Sequence, residues 1–600
     1  MKKMQAFLIF SMLLSWVMGI NPPAVNSNSF SFVVLGDRTG SVDQPVFEQI
    51  LAQIKALSPD FIFNIGDLIE GYTSAVDSIN QEWNFVLTKL GELKEKFFFT
   101  PGNHDIWDSL SKAIYLKLTG YPNTYYNFSI GKNHFIILDN SLQERGDKFD
   151  TTQLNWLTKA LAAIKKSDKI FCFMHKSFWK EAYLNNTPDT LHKLFVKYGV
   201  DYVFSGHDHY YCQLNWDGIT YIQVGPSGSR YKIYKKEEYG AFQNFVYVLV
   251  KSNDVEIKVI KPDGQKLSCD IVTLDDIKTL ERIENTVTIT PISLDDFDIE
   301  YSTGTTAVSK EIEVVIDNIT KFPLNSFGRW YVQRPNWNIL PQETTVFIPA
   351  QSSMSYRYRW QLVNESLYPL PHFQINYPYG QLGNKTYKVT KLLPLQRNTQ
   401  CVFTAEKIKV DGVLTEKIWQ KLRPIRIFGA SDGDVSKTDP WQVYFAYDQD
   451  YIYIAAKLTD WEPDRIVSII NRRDDKVYND DHVNIILKPT PAEQDTYYQF
   501  FVNASGIVMD RKCYLVGKDS KKELNWNSNI VAKTHRINSK GFKGWTLEAK
   551  IPLKDLTAQT PTIWGFNLAR FQKRKEQVSI YSVPFEHNPK TFATLYFIPK

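Results

Sequence analysis

Cysteine is scarce in this chain, with five in 600 residues: Cys172, Cys212, Cys269, Cys401 and Cys513. They are scattered along the sequence, which does not suggest a disulfide framework, though an exported protein could still pair one or two of them. Cys172 lies within an apolar run and reads as a core residue. Strong charge of one sign is absent as well. A net charge of +5 over 600 residues is too small to argue for nucleic acid or an anionic membrane as partner. Beyond residue 20 no apolar run reaches the roughly 20 residues that cross a bilayer, so no transmembrane segment is expected in the mature chain. There is no internal repeat and no low-complexity tract.

The first twenty residues read as a signal peptide. Lys2 and Lys3 form a basic start, Ala6 to Ile20 an apolar stretch too short to span, and small or polar residues follow. No cysteine lies near the cleavage region, which argues against a lipoprotein. The expectation is an exported protein: periplasmic, cell-surface or secreted.

What is present is size, aromatics and a series of short motifs. Six hundred residues are too many for one core and predict three or four domains. Aromatics make up 14% of the chain, a level common in β-rich extracellular proteins. Between residues 36 and 209 stand Gly36-Asp37, Gly66-Asp67, Gly102-Asn103-His104-Asp105, His175 and Gly206-His207-Asp208-His209. Each follows an apolar, β-branched or aromatic run: Phe30 to Leu35, Phe61 to Ile65, Phe97 to Phe99, Ile170 to Met174 and Tyr202 to Phe204. These read as buried strands that deliver metal ligands at their C-terminal ends, the edge where open α/β sheets bind ligands. Val46 to Leu57, Trp83 to Leu93 and Gln153 to Ile164 carry apolar residues at helical spacing. Strands alternating with helices predict an α/β domain.

The ordered motifs resemble the calcineurin-like metallophosphoesterase superfamily over residues 28–272. The resemblance implies a four-layer sandwich of two mixed sheets flanked by helices. It also implies a dinuclear site holding two metal ions (Mn, Zn or Fe), the mixed N/O donors that suit them, and attack on a phosphomonoester or diester by a metal-bridging hydroxide. Carried over by motif, Asp37 and His209 would hold the first metal and Asp67 would bridge. Asn103, His175 and His207 would hold the second. His104 would face the leaving group as a proton donor. Glu70, three residues after the bridging Asp67, would orient His104 or complete the first metal's shell. Arg38 could fork onto a substrate phosphate. One position departs from the pattern. Where many relatives have Asp-x-His, this chain has Asp37-Arg38-Thr39, leaving water, the Thr39 hydroxyl or Glu70 as the fourth ligand. His134 and His192 match no motif and read as ordinary structural or surface histidines.

From 275 to 398 helical periodicity fades into short strand-like runs punctuated by Pro and Asn, the pattern of a small β-sandwich. Trp330, Pro335, Trp337 and Pro341 resemble a stretch of immunoglobulin-like linker modules, so this segment is expected to be a spacer. From 400 to 600 an ordered series resembles the family 9 carbohydrate-binding modules. It includes Ile408 to Leu414, Trp419, Val443 to Asp448, Asp480-Asp481-His482 and Gly544 to Ala549. That implies a β-sandwich tail with a polysaccharide partner. Trp419, Trp545 and Trp564 are expected in the core, and Trp441, Trp461 and Trp526 on the surface. Asp448, Asp480 and Asp481 are candidate calcium ligands or solvated acids. The whole reads as an exported phosphoesterase tethered to glycan. The alternative is a non-catalytic sugar-binding surface protein whose phosphoesterase domain has degenerated, supported only by Thr39. A nuclease is set aside by the weak charge and the export signal.

Overall fold

The computed structural model describes residues 25–26, 29–252, 254–296, 310–362, 367–490, 495–516, 519–583 and 588–600. The expected signal peptide lies outside them. The chain divides into two compact units, one running to Arg282 with Tyr379–Gln381 and the other comprising Ile283–Pro378 and Leu382–Lys600.

The first unit holds two six-stranded sheets. In one, β1 (Ser29–Leu35), β2 (Phe61–Asn64) and β3 (Phe97–Phe98) run parallel, and β10 (Phe245–Lys251) joins β1 antiparallel. In the other, β5 (Asn133–Ile137), β6 (Lys169–Lys176), β7 (Tyr202–Gly206) and β9 (Ile219–Gln223) run parallel. There β4 (Tyr126–Ile130) and β8 (Cys212–Trp216) form antiparallel edges. These are the mixed sheets implied by the motif resemblance.

Strand alternation builds the interior. Phe30 and Phe32 of β1 point toward the second sheet, whereas Val33 and Leu35 point to the helical side. Between the sheets the filling is almost wholly phenylalanine. Phe32 meets Phe171 edge-on at 5.5 Å, and Phe63 stacks on Phe173 at 3.9 Å. Such pairs contribute about 0.5–1.5 kcal/mol each beyond their burial. On the helical side, Phe47, Ile50 and Ile54 of α1 (Gln44–Leu57) and Trp83 and Val86 of α2 (Val76–Leu90) pack against the first sheet. Asp43 caps α1 by accepting the Val46 N–H. This frame aligns the C-terminal ends of β1, β2, β6 and β7.

Some expectations shift. The segment from 275, read as the start of the β-rich region, begins inside the helix Leu274–Ile283, whose Leu274, Ile277, Leu280 and Ile283 are buried at helical spacing. Ser109–Thr119, Phe178–Leu184 and Thr190–Tyr198 are helices the motif reading passed over.

The second unit contains two four-stranded sheets between residues 287 and 392 and a large sheet beyond. The boundary expected near 398–400 falls within the strand Leu395–Phe403, which also pairs in parallel with Ile292–Asp295. Ile408–Leu414, the first piece of the module series, is irregular. Trp419, Trp545 and Trp564 are buried as expected. Trp441 is not at the surface: it is 3% exposed and stacks on Phe428 at 4.0 Å. Trp461 is 61% exposed, and Trp526 is half-buried beside Tyr498.

Candidate metal centre

The candidate ligands stand at the ends of four parallel strands, each one to three residues past an apolar run. Asp37 follows β1, Asp67 follows β2, His175 is the penultimate residue of β6, and His207 follows β7. The register between β6 and β7 shifts between Phe173 and Lys176, an irregularity that re-aims a side chain at the sheet rim. Asp67, His207 and His209 adopt positive φ of 56°, 78° and 56°. Non-glycine residues rarely hold that conformation, and such strain concentrates at functional sites. Glycines make room: a Cβ on Gly102 would lie 2.2 Å from Asp67 Oδ1, and one on Gly206 2.4 Å from Asp37 Oδ1.

The structure brings all six sequence-proposed ligands into one connected cluster. His209 Nε2 lies 3.2 Å from Asp37 Oδ2, and the His207 backbone N–H donates to both Asp37 oxygens at 3.1 and 3.2 Å. His207 Nδ1 lies 3.1 Å from His175 Nε2. That nitrogen is also 3.2 Å from Asp67 Oδ2 and 2.9 Å from Asn103 Oδ1. Asp67, His175 and His207 place ligand atoms within 4.8 Å of one another.

Second contacts fix the rings. His175 Nδ1 faces the Ile65 carbonyl at 2.7 Å, and His209 Nδ1 faces the Arg230 carbonyl at 2.6 Å. A carbonyl only accepts, so each Nδ1 carries a proton and each Nε2 faces the cluster, where a bound cation would take the place of its proton, the usual arrangement for a metal ligand. Thr39 Oγ1 is buried without a hydrogen-bond partner, while Asp67 Oδ2 and His209 Nε2 are buried with only the 3.2 Å approaches to His175 and Asp37. Under-satisfied buried polar atoms are costly. Carboxylate and imidazole atoms left so within one cluster fit the site to cations.

The electrostatics are those of a tight mixed-charge cluster. Burial alone would depress His175, but Asp67 beside it carries its pKa up to about 9. Burial would raise Asp67 and Asp37; His175 holds the first down, and His209 with His175 the second. Burial and the neighbouring positive His175 push His207 down to about 4. A cation in the cluster would replace the imidazolium as the counter-charge.

Two expectations are corrected. Glu70 does not orient His104 through its carboxylate. The Glu70 backbone carbonyl does so, 2.7 Å from His104 Nδ1, while the Glu70 side chain is exposed. Arg38 is not free for a phosphate. It is 7% exposed, donates to the Leu68 carbonyl and Gln44 Oε1, and lies over the Phe47 and Phe85 rings. His134 pairs with Asp168. His192 is buried between Tyr221 and Trp216, so both are structural, as read.

Several contributors escaped sequence reasoning. Asp105 accepts the N–H groups of Asp67, Leu68, Ile69 and Gly102, tying the second and third motif loops together. Burial, and then the charge of Asp67, raise its pKa to about 7. Asn140 Oδ1 accepts the His175 N–H, and Lys180 pairs with Asp208. Asp105 was visible as the last residue of its motif. Asn140 and Lys180 carried no local signal.

In the tail, the calcium candidates serve their own loops. Asp480 accepts from Ile469 N, Ile470 N and Asn503 Nδ2, Asp481 from Val467 N and Lys573 N, and Asp448 from Asp450 N and Tyr451 N. Asp480 and Asp481 are buried, so neither is a solvated acid.

Two segments of the chain match known family models. Residues 30–211 match the calcineurin-like phosphoesterase family model, and residues 410–589 match the family 9 carbohydrate-binding domain-like model. Tartrate-resistant acid phosphatase type 5 of the rabbit, Oryctolagus cuniculus, is 25% identical over 310 residues, covering 43% of this chain and 93% of the rabbit protein. Among solved structures, a purple acid phosphatase of yellow lupin, Lupinus luteus, is 16% identical with a TM-score of 0.33, covering 40% of this chain and 53% of that one. A family 9 module of Caldicellulosiruptor kristjanssonii, solved with glucose, is 15% identical with a TM-score of 0.25, covering 34% of this chain and 97% of the module. The chain therefore carries a calcineurin-like phosphoesterase domain, of the metal-dependent phosphoric ester hydrolases, over residues 30–211, and a family 9 carbohydrate-binding domain over residues 410–589.

Proposed function

We propose that this protein is an exported phosphoesterase that hydrolyses a phosphomonoester or phosphodiester and is held near glycan by its C-terminal domain. The observation that carries the catalytic half is the single cluster of Asp37, Asp67, Asn103, His175, His207 and His209, whose buried carboxylate and imidazole atoms face one another. Two ions of Mn, Zn or Fe fit these donors. When bound they would supply Lewis acidity to the phosphoryl oxygens and a lowered pKa to water.

The chain's own residues do the rest. Asp37 and His209 hold one end of the cluster and Asn103, His175 and His207 the other, with Asp67, against His175, as the bridging candidate. His104 Nδ1 donates its proton to the Glu70 carbonyl, so that in the imidazolium form Nε2–H would give its proton to the departing ester oxygen and leave the neutral ring. Thr39 is wholly buried beside Gly40, which lies against His209. Its buried, unpartnered hydroxyl makes Thr39, rather than the exposed Glu70 side chain, the chain's own candidate to complete the first ligand set.

The test is hydrolysis of p-nitrophenyl phosphate and bis-p-nitrophenyl phosphate by the full chain after loading with Mn, Zn or Fe. Turnover of either ester supports the reading. Bound metal with no turnover of either moves the non-catalytic sugar-binding alternative, which rests on Thr39, to the front. Export and tethering rest on the N-terminal sequence and the C-terminal domain. A glycan array with no binding would remove the tether.

A further inference from the structure

Tyr72 lies in the loop after the second motif and matches no part of it. Its φ is +52°, and Gly71 before it stands at +61°. Two successive left-handed residues make an unusual turn, and a bulky side chain in that conformation is strained. Gly71 admits no other residue, because a Cβ there would lie 2.1 Å from the His104 carbonyl oxygen. The turn places the tyrosine over the cluster.

Two contacts result. Asn103 Nδ2 donates to Tyr72 Oη at 2.9 Å, while Asn103 Oδ1 faces His175 Nε2 at 2.9 Å. An amide can be seated either way round, and only its oxygen can meet a cation. The tyrosine hydroxyl accepts from the nitrogen end while the oxygen end faces His175 and the cluster, and the two contacts together hold the amide in this sense. The ring itself is 58% exposed. It meets His104 edge-on at 4.9 Å and lies 5.6 Å from Trp107 at a 33° tilt. Tyr72 and Trp107 thus form an open aromatic wall on the His104 side of the cluster.

We propose that Tyr72 is a positioning and specificity residue of this site. Its hydroxyl seats the Asn103 amide with oxygen toward the metal, and its ring receives a leaving group that carries a flat ring face. The proposal rests on the phosphoesterase reading, in which His104 marks where the leaving group departs. Aromatic rings and sugar rings share the required chemistry, a flat apolar face.

The test compares full-length wild type, Tyr72→Phe and Tyr72→Ala, with thermal unfolding run on each to confirm the fold. Calorimetric titration with Mn(II) reads the hydroxyl. Tyr72→Phe should weaken binding about tenfold, and adding Asn103→Asp, which has no wrong way round, should restore it. Unchanged binding in Tyr72→Phe, or a loss that Asn103→Asp fails to restore, overturns the positioning role. Turnover of benzyl phosphate, glucose 6-phosphate and n-butyl phosphate reads the ring, because all three leave as primary alkoxides. Wild type and Tyr72→Phe should favour a ring-bearing ester over the butyl ester about fivefold. Tyr72→Ala should lose that ratio, and the benzyl and glucose arms show which ring is preferred. No ring preference in wild type, or one that survives in Tyr72→Ala, overturns the specificity role. If metal-loaded wild type turns over none of the esters, the phosphoesterase reading fails instead. The ring preference is then read by calorimetry with benzylphosphonate against n-butylphosphonate, with the same two outcomes.

Discussion

At the scale of single residues, the site separates groups that bind from groups that act and groups that hold. His104 touches Asp67 only through its backbone N–H, and its ring is anchored by a carbonyl. His104→Ala should therefore keep its metal while kcat falls about 10²–10⁴-fold, as metal analysis and steady-state kinetics together will show. Asp105 acts through others, since four backbone N–H groups converge on its carboxylate. Asp105→Asn turns an N–H₂ against some of them and should weaken metal binding about 10–100-fold, measured by titration. Arg38 holds the loop rather than the substrate. Arg38→Ala should lower the melting temperature and leave KM for p-nitrophenyl phosphate unchanged; a raised KM would return it to the substrate. Motif matching put Asp37, Asp67, Asn103, His175, His207 and His209 in one place because each belongs to a short motif at or just beyond the C-terminal end of a buried strand. It misassigned Glu70 and Arg38 because sequence cannot say whether a backbone carbonyl or a side chain makes the contact.

At the scale of elements, the strands were more legible than the helices. Runs such as Phe30 to Leu35 and Ile170 to Met174 are buried on both faces, so they read as continuous apolar stretches. Ser109–Thr119 and Thr190–Tyr198 bury only three residues each, too thin a stripe to stand out. In the tail, alternation alone could not tell which tryptophans face inward. Trp441 sits within Trp441–Tyr447 against Phe428, whereas Trp461 follows the end of Tyr451–Thr459 in the open. Trp441→Ala should cost about 3–5 kcal/mol in denaturant unfolding, and Trp461→Ala within about 0.5 kcal/mol of zero. Equal losses would mean that the two positions are misplaced.

At the scale of the whole molecule, the sequence showed an α/β part followed by β-rich parts, which the structure bears out. It could not show that the segment around 395–403 both closes the middle sheets' neighbourhood, through Ile292–Asp295, and opens the last sheet, because strand pairing across a hundred residues leaves no local mark. The account depends most on the cluster being a metal centre. The most direct measurement is the metal content of the full-length protein by elemental analysis after loading and dialysis, with Asp67→Asn alongside. Two ions per chain in wild type and fewer than one in Asp67→Asn is the predicted result. No bound metal in folded wild type, or the same content in both, would contradict the account.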